Sequence, residues 1–426
     1  MPSFDVCVIG GCGRVGLPLS IAFADKGLNV VVCDLDKDRM DKVRRGIMPF
    51  QEDGCEEKLR RVVNNTLFTS DGLDPVASSR YVIVAIGTPA EFELGSDPHA
   101  MLDFFGGLVP FLRSGQFVIL RSTVIPGTTA RVDRYLKASG ADYRVAFCPE
   151  RILEGNALSE LATLPQIVSA FDEECVEAVS GLFRLLTDDI IVLQPLEAEL
   201  AKLFTNAWRY LQFAAANQFM MLATDAGLDY RRIQQAMTHN YPRTKSLPKP
   251  GFAAGPCLFK DTLHLSAFSK GTFSLGQAAM LVNGGLPDYI VGKMKARTDL
   301  AKRTVGILGM AFKANSDDER SSLSFRLKDL LEPEAKKVYC SDPHVYGEGF
   351  VDPQYLVDNC DAIVLATPHD EYKDIAIPED KILVDIWDVN GRGLIWVPDG
   401  LVRDLKSQPV GSSDGVPAGC ALSGVA

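Results

Sequence analysis

Cys257 follows a Gly/Ala-rich stretch, Gly251-Phe252-Ala253-Ala254-Gly255-Pro256, and precedes Asp261, a carboxylate four residues on. Beside a hydride acceptor, such a thiol can capture an aldehyde, allow its further oxidation and release an acid. The bland alternative is a packing residue, because free cysteine is among the most buried residue types. Lys202 and Asn206 stand at i and i+4 in Glu199-Leu200-Ala201-Lys202-Leu203-Phe204-Thr205-Asn206, so a helix projects both from one face. An ammonium beside a carboxamide can hold a hydroxyl or an oxyanion during hydride transfer. In Cys148-Pro149-Glu150-Arg151-Ile152-Leu153-Glu154-Gly155 two carboxylates lie four residues apart, suited to a water-activating base and a cofactor contact. A solvated surface is the plain alternative for both of these segments.

A hydride acceptor has an obvious seat. Gly11-Cys12-Gly13-Arg14-Val15-Gly16 follows the apolar run 6–9 and opens a helical stretch. In that context the glycines permit a tight turn, close approach to a pyrophosphate and close helix–strand packing, with the helix N-terminus facing the phosphates. Asp34 ends the next strand, where a carboxylate takes a ribose 2′-hydroxyl and repels a 2′-phosphate; this selects NAD over NADP, with Arg39 nearby. Gly87-Thr88-Pro89 and Ser122-Thr123-Val124-Ile125-Pro126-Gly127 end later strands. Ligands of such sheets bind at the carboxyl ends of strands, so these loops face the nicotinamide side.

The elements that must hold these groups alternate. Short apolar runs at 6–9, 30–33, 81–86, 117–120 and 144–147 are separated by helical patterns such as 17–25 and 37–45, which predicts a parallel sheet covered on both faces. Residues 196–227 lack a strong breaker and predict one helix of about 30 residues, roughly 45 Å long, as a spine between two units. Helical pattern resumes at 230–238 and 275–302 around a Pro/Gly-rich loop at 241–256. Strands at 304–308, 337–340, 362–366 and 382–386 start a second α/β unit. Its first loop, Gly309-Met310-Ala311-Phe312-Lys313, corresponds to the glycine loop of the first unit, and Lys313 and Arg320 offer cations to a second nucleotide-like ligand. Ser341-Asp342-Pro343 and Ala366-Thr367-Pro368-His369 end later strands on the same rim; His369 reads as structural.

The 426 residues are 46% hydrophobic and 23% charged, ordinary for a globular chain of two or three domains. A net charge of −11 argues against a broad nucleic-acid surface. Neither a signal peptide nor a membrane-length apolar run is expected, and the ten scattered cysteines, without a CxxC pair, suggest reduced thiols in a cytosol and no zinc site. From 407 onward Ser, Gly, Pro and Ala dominate, and a disordered tail is expected.

In this order the motifs resemble the nucleotide-sugar 6-dehydrogenases, the family of UDP-glucose and UDP-N-acetylmannosamine dehydrogenases, over residues 4 to about 400. The likeness rests on Gly11 to Gly16, Ser122-Thr123-Val124 with Pro126-Gly127, Pro149-Glu150, Lys202 with Asn206, Gly255-Pro256-Cys257 with Lys260-Asp261, and Phe312-Lys313 with Arg320. It implies an α/β fold of two Rossmann-like doubly wound domains joined by a long central helix. The domains would be an NAD-binding unit at 1–195, a central helical dimerisation region with the thiol loop at 196–300, a UDP-sugar-binding unit at 301–405 and a tail at 406–426. The resemblance also implies a four-electron oxidation of a sugar C6 hydroxyl to a carboxylate with two NAD. In that scheme Lys202 and Asn206 stabilise the oxyanion, Cys257 forms a thiohemiacetal and then a thioester, and water activated by Asp261 or Glu150 hydrolyses it, with Thr123 also in the catalytic set. NAD would be held by Gly11, Gly13, Arg14, Val15, Gly16, Asp34, Arg39, Thr88, Pro89, Ser122, Thr123, Glu154 and Arg320. The UDP-sugar would meet Glu150, Arg151, Lys202, Asn206, Arg243, Gly255, Cys257, Phe312 and Lys313. The implied assembly is a cytoplasmic homodimer through the long helix, without nucleic acid, membrane or metal.

The chain departs from the family in reading Ala254-Gly255-Pro256-Cys257 where UDP-glucose dehydrogenases read Gly-Gly-Ser-Cys. The family's arginine after the last strand's aspartate is also not evident: Asp385-Ile386-Trp387-Asp388 stands there, with Arg392 further on. A two-electron hydroxyacid or polyol dehydrogenase would need neither the thiol nor the second unit. A non-catalytic nucleotide sensor would be expected to have lost Lys202, Asn206 or Cys257.

Overall fold

The computed structural model describes residues 3–87 and 100–398. Its first sheet has eight strands: β1 (Phe4–Ile9), β2 (Val30–Cys33), β3 (Leu67–Ser70), β4 (Ser79–Val84), β5 (Phe117–Leu120), β6 (Arg144–Phe147), β7 (Gln166–Ala170) and β8 (Ile190–Leu193), in the order β3-β2-β1-β4-β5-β6-β7-β8. Neighbours run parallel except β6 and β7. Strands such as Val-Val-Val-Cys and Phe-Val-Ile-Leu are buried throughout because helices cover both faces, each face with its own apolar core. Strand order reverses between β1 and β4, and the crevice beyond their carboxyl ends is where a ligand fits.

The second sheet holds β9 (Thr304–Leu308), β10 (Lys337–Ser341), β11 (Ala362–Leu365), β12 (Ile382–Asp385) and β13 (Ile395–Trp396), ordered β10-β9-β11-β12-β13. Only β13 runs antiparallel within it. The fold is thus the α/β architecture of two mainly parallel sheets that the sequence implies. The alternation missed β3, β7, β8 and β13, which are short; β8 is half exposed and β7 reverses direction.

Between the sheets runs one helix, Pro195–Asp225, of 31 residues. Pro195 in its first turn and a reciprocal Gln194–Glu197 capping box fix its start. Helices Leu258–Phe268 and Ser274–Gly284 pack along it. A buried amide ladder ties them down: Asn217 Nδ2 donates to Asn283 Oδ1 at 2.9 Å, and Asn283 Nδ2 to the Tyr210 carbonyl at 3.0 Å. The 275–302 pattern divides at Gly285, after which Leu286–Arg297 starts afresh with proline in its first turn. Among the described residues no helix is long and apolar enough to cross a membrane. The expected tail at 406–426 lies outside the described residues, as do Thr88 and Pro89.

Candidate active site

The two sheets and the central helix enclose a cavity of about 1950 Å³. That is about twice the upper end for one drug-sized ligand, roughly 1,000 Å³, and leaves room for two large ones. Its wall carries Gly13, Arg14, Val15, Asp34, Arg39, Ser122, Thr123, Glu150, Arg151, Glu154 and Arg320, together with Lys202, Asn206, Gly255, Cys257, Phe312 and Lys313. Gly11 and Gly16 lie buried behind this wall. Arg243 does not reach it: it sits on an exposed loop with Nη1 donating to the Tyr241 hydroxyl at 3.0 Å. Its expected contact with substrate therefore finds no place in this chain's own cavity.

The glycine loop has the form a dinucleotide needs. A Cβ on Gly16 would lie 2.6 Å from the Gly10 carbonyl oxygen, so helix Gly16–Asp25 presses directly against the turn. A Cβ on Gly13 would meet only that oxygen, at 3.4 Å, and the space above it belongs to the cavity. Asp34 accepts from the Cys12 amide at 2.9 Å and the Asp36 amide at 3.0 Å, which holds its carboxylate on the cavity rim. Arg39 is engaged by Asp36 at 3.1 Å. Arg14 reaches across to the second unit, 2.7 Å from Asp317 and 3.6 Å from Asp318. The residues fit NAD: the loop would seat its pyrophosphate and Asp34 its ribose.

At the other end lies the thiol. Of the nine described cysteines, eight are buried and only Cys257 is exposed. Burial pushes Cys148, in the core beneath the cavity, up to about 12, which leaves it inert. Cys257 begins helix Leu258–Phe268, within the cavity. Water reaches the thiol, yet the surrounding protein strips enough solvent to raise its pKa, aided by Asp261 and opposed by Lys202 and Lys260. Gly255 sets the approach. It has φ +94°, and a Cβ there would strike the Phe312 ring at 2.5 Å, so the second unit closes directly on the thiol loop.

Asp261 is 1% exposed and lies behind the wall rather than in it. Asn206 Nδ2 donates to its Oδ2 at 2.5 Å, while Oδ1 has no partner. Burial raises this carboxyl, against the pull of Lys202, Lys260 and Asn206. The pair fixes the Asn206 amide and leaves its second N–H for a ligand oxygen.

The two carboxylates of the 148–155 segment differ. Glu150 is an ion-pair partner of the buried Arg121, and its Oε1 accepts from the amides of Arg151 at 2.6 Å and Ile152 at 2.9 Å. These bonds hold it in one orientation on the cavity wall. Arg151 turns its guanidinium to the Pro165 carbonyl. Glu154 keeps Oε2 without a partner. Its pKa is raised by burial and by Asp318, against Arg14, Arg320 and Lys313, and its charge is felt at the Cys257 thiol. Lys313 donates to the Glu154 carbonyl and is lowered by burial. Arg320 forks onto Asp318, at 2.6 and 2.9 Å, and stands 3.5 Å from Glu154. Ser122 Oγ donates to the Ile86 carbonyl at 2.7 Å, whereas the half-buried Thr123 faces the cavity.

Sequence reading missed Arg121, Arg209, Phe213 and Trp387. Arg209 and Phe213 extend the face of Lys202 and Asn206 by one and two helical turns along the cavity. That spacing was the available signal. Arg121 was legible only as a charged residue at a strand end.

The glycine loop, the carboxylate after β2 and the thiol, set in one cavity between two doubly wound units, define an NAD-dependent dehydrogenase. The chain belongs to the UDP-glucose/GDP-mannose dehydrogenase family, whose models for the NAD binding, central and UDP binding domains match residues 4–187, 196–284 and 306–391. It is 30% identical over 410 residues to the UDP-N-acetyl-D-mannosamine dehydrogenase of Pyrococcus horikoshii, covering 91% of this chain and 95% of that one. A solved UDP-D-ManNAc dehydrogenase of Pyrococcus horikoshii superposes with a TM-score of 0.82 at 28% identity, over 90% of this chain and 95% of that one. A UDP-glucose dehydrogenase from Pyrobaculum islandicum gives the same score and identity over 93% and 98%. The chain is accordingly an NAD-dependent UDP-sugar dehydrogenase.

Proposed function

We propose that this enzyme oxidises the C6 hydroxyl of UDP-N-acetylmannosamine, or a close UDP-N-acetylhexosamine, to the uronic acid through a covalent intermediate on Cys257. The observation that carries the reading is the Cys257 thiol, the exposed one among the described cysteines, in the cavity that also holds Lys202, Asn206 and Glu150. The likeness to relatives named for N-acetylmannosamine supports the choice of sugar. Per sugar, the alcohol and one water become a carboxylate, and two NAD accept the two hydrides.

Lys202 and Asn206 hold the substrate oxygen as its charge develops, with Asn206 aimed by Asp261. Once the alcohol has become an aldehyde, the Cys257 sulfur attacks the carbonyl carbon. A C–S bond forms and the oxygen takes a proton, giving a thiohemiacetal. Loss of hydride from that carbon to the second NAD, with the hydroxyl proton passing to water, leaves a thioester. Water then attacks, the C–S bond breaks and the thiolate returns. Glu150, on the cavity wall and held by Arg121 and two backbone amides, takes the water's proton. The charge of Lys202 and Lys260 favours the thiolate that burial and Asp261 oppose.

The enzyme works as a homodimer in this reading. Phe204 and Trp208 on the central helix are 56% and 61% exposed, and Leu275 and Leu281 of the adjoining helix 66% and 77%. So much large apolar surface on one helical layer suits a partner copy. Sedimentation tests this: a monomer at micromolar concentration contradicts it. For the sugar, initial rates of NADH formation with UDP-N-acetylmannosamine, UDP-N-acetylglucosamine and UDP-glucose decide. The highest kcat/KM is expected for the first, and preference for UDP-glucose overturns that part of the reading.

A further inference from the structure

Trp387 follows β12 and lines the cavity. Three contacts immobilise it. The indole N–H donates to the Ala366 carbonyl at 2.8 Å, Phe213 meets the ring edge-to-face at 6.5 Å, and Gly251 lies under its six-membered ring. A Cβ on Gly251 would come within 2.4 Å of that ring. Gly251 is itself pinned, its N–H donating to Asn217 Oδ1 at 2.8 Å and its carbonyl accepting from Asn217 Nδ2 at 3.0 Å. The indole is therefore a preset flat surface that needs no ordering when a ligand arrives.

Its place along the central helix decides which part of a ligand it meets. Lys202, whose charge is felt at the Cys257 thiol, and Asn206 mark the end where the proposed reaction takes place. Phe213, which touches Trp387, is seven residues beyond Asn206, about 10 Å at ~1.5 Å per residue. Arg209 lies between them on the same face, exposed in the cavity. Sugar at Asn206, diphosphate at Arg209 and base at Phe213 and Trp387 follow in the order of a nucleotide sugar's own parts. Resting on the UDP-sugar reading, we infer that the substrate's pyrimidine base stacks on Trp387. An aromatic surface thus anchors the nucleoside end of the substrate.

The test is binding of UDP and of NAD, each alone, to the purified full-length protein by calorimetry. Trp387→Leu keeps bulk against the second core, whereas Trp387→Phe keeps a ring. Trp387→Leu should weaken UDP about 10-fold, the scale of one base–aromatic stack, and leave NAD affinity in place. Trp387→Phe should stay within about threefold of the parent for UDP and lose the tryptophan fluorescence change that UDP produces in the parent. Unchanged UDP binding by Trp387→Leu, or equal loss of UDP and NAD, overturns the inference. A parent protein that binds NAD but not UDP overturns the underlying reading as well.

Discussion

The two α/β units carry an aspartate at the same place and use it differently. Asp34 follows β2 and Asp342 follows β10, each facing the loop after its sheet's first strand. Asp34 receives two backbone amides and stays on the cavity rim. Asp342 is enclosed by five donors: the amides of Met310 and Ala311 at 2.6 and 2.9 Å, those of His344 and Val345 at 2.8 and 2.9 Å, and His369 Nε2 at 3.1 Å. His369 is itself fixed, since its Nδ1 accepts from the Asn315 amide at 3.0 Å. One unit leaves its carboxylate at the cavity, where a ribose would meet it; the other satisfies it with protein and so fixes the loop bearing Phe312 and Lys313. A repeated architecture thus supplies a cofactor site once and a substrate wall once.

The largest expected effect lies at the thiol between the two units. Cys257→Ser should lower acid formation by about a thousandfold or more, read by product analysis, with UDP and NAD binding retained. Full turnover by that variant removes the covalent step. Next, Asp342→Asn should destabilise the fold by about 3 kcal/mol, because the buried charge is lost and an amide N–H₂ is set against amide donors. Denaturant unfolding measures it, and NAD affinity of the folded fraction should not change. Asp34→Asn is the mirror experiment: NAD binding should weaken about 10-fold with little change in stability. If both variants lose NAD alone, or stability alone, the contrast between the units fails.

A pH limb separates the two aspartates further. Burial alone would raise Asp342, but the His369 hydrogen bond and the surrounding amides overcome it and hold the group at about 2, below its ordinary 3.8. A lowered folded-state pKa contributes stability that is present above 3.8 and lost as pH falls through about 2. The contribution is about 2 kcal/mol. Unfolding free energy should therefore fall between pH 4 and pH 2 more steeply in the parent than in Asp342→Asn; parallel curves contradict the assignment.

Much of this arrangement was legible in the chain. Fully apolar strands and long intervening helical patterns specify two covered parallel sheets, because each local pattern has one stable partner arrangement. The i, i+4 spacing of Lys202 and Asn206 put them on one helical face, and extending the same period would have reached Arg209 and Phe213. The different surroundings of Glu150 and Glu154 were not legible. They share a segment and a residue type, and only the fold brings Arg121 from the end of β5 to Glu150 and Arg320 to 3.5 Å from Glu154. Asp342 read as a rim residue for the same reason: its five donors come from three separate loops, a tertiary fact that no local pattern carries. Trp387 stood out as a departure, but its contact with Gly251 and Phe213 needed the fold.

The claim that one thiol links two oxidations is tested most directly by counting. With UDP-N-acetylmannosamine as the limiting reagent and NAD in excess, the account predicts two NADH for each sugar consumed and a uronic acid as the product. One NADH per sugar, with an aldehyde or ketone accumulating, contradicts it.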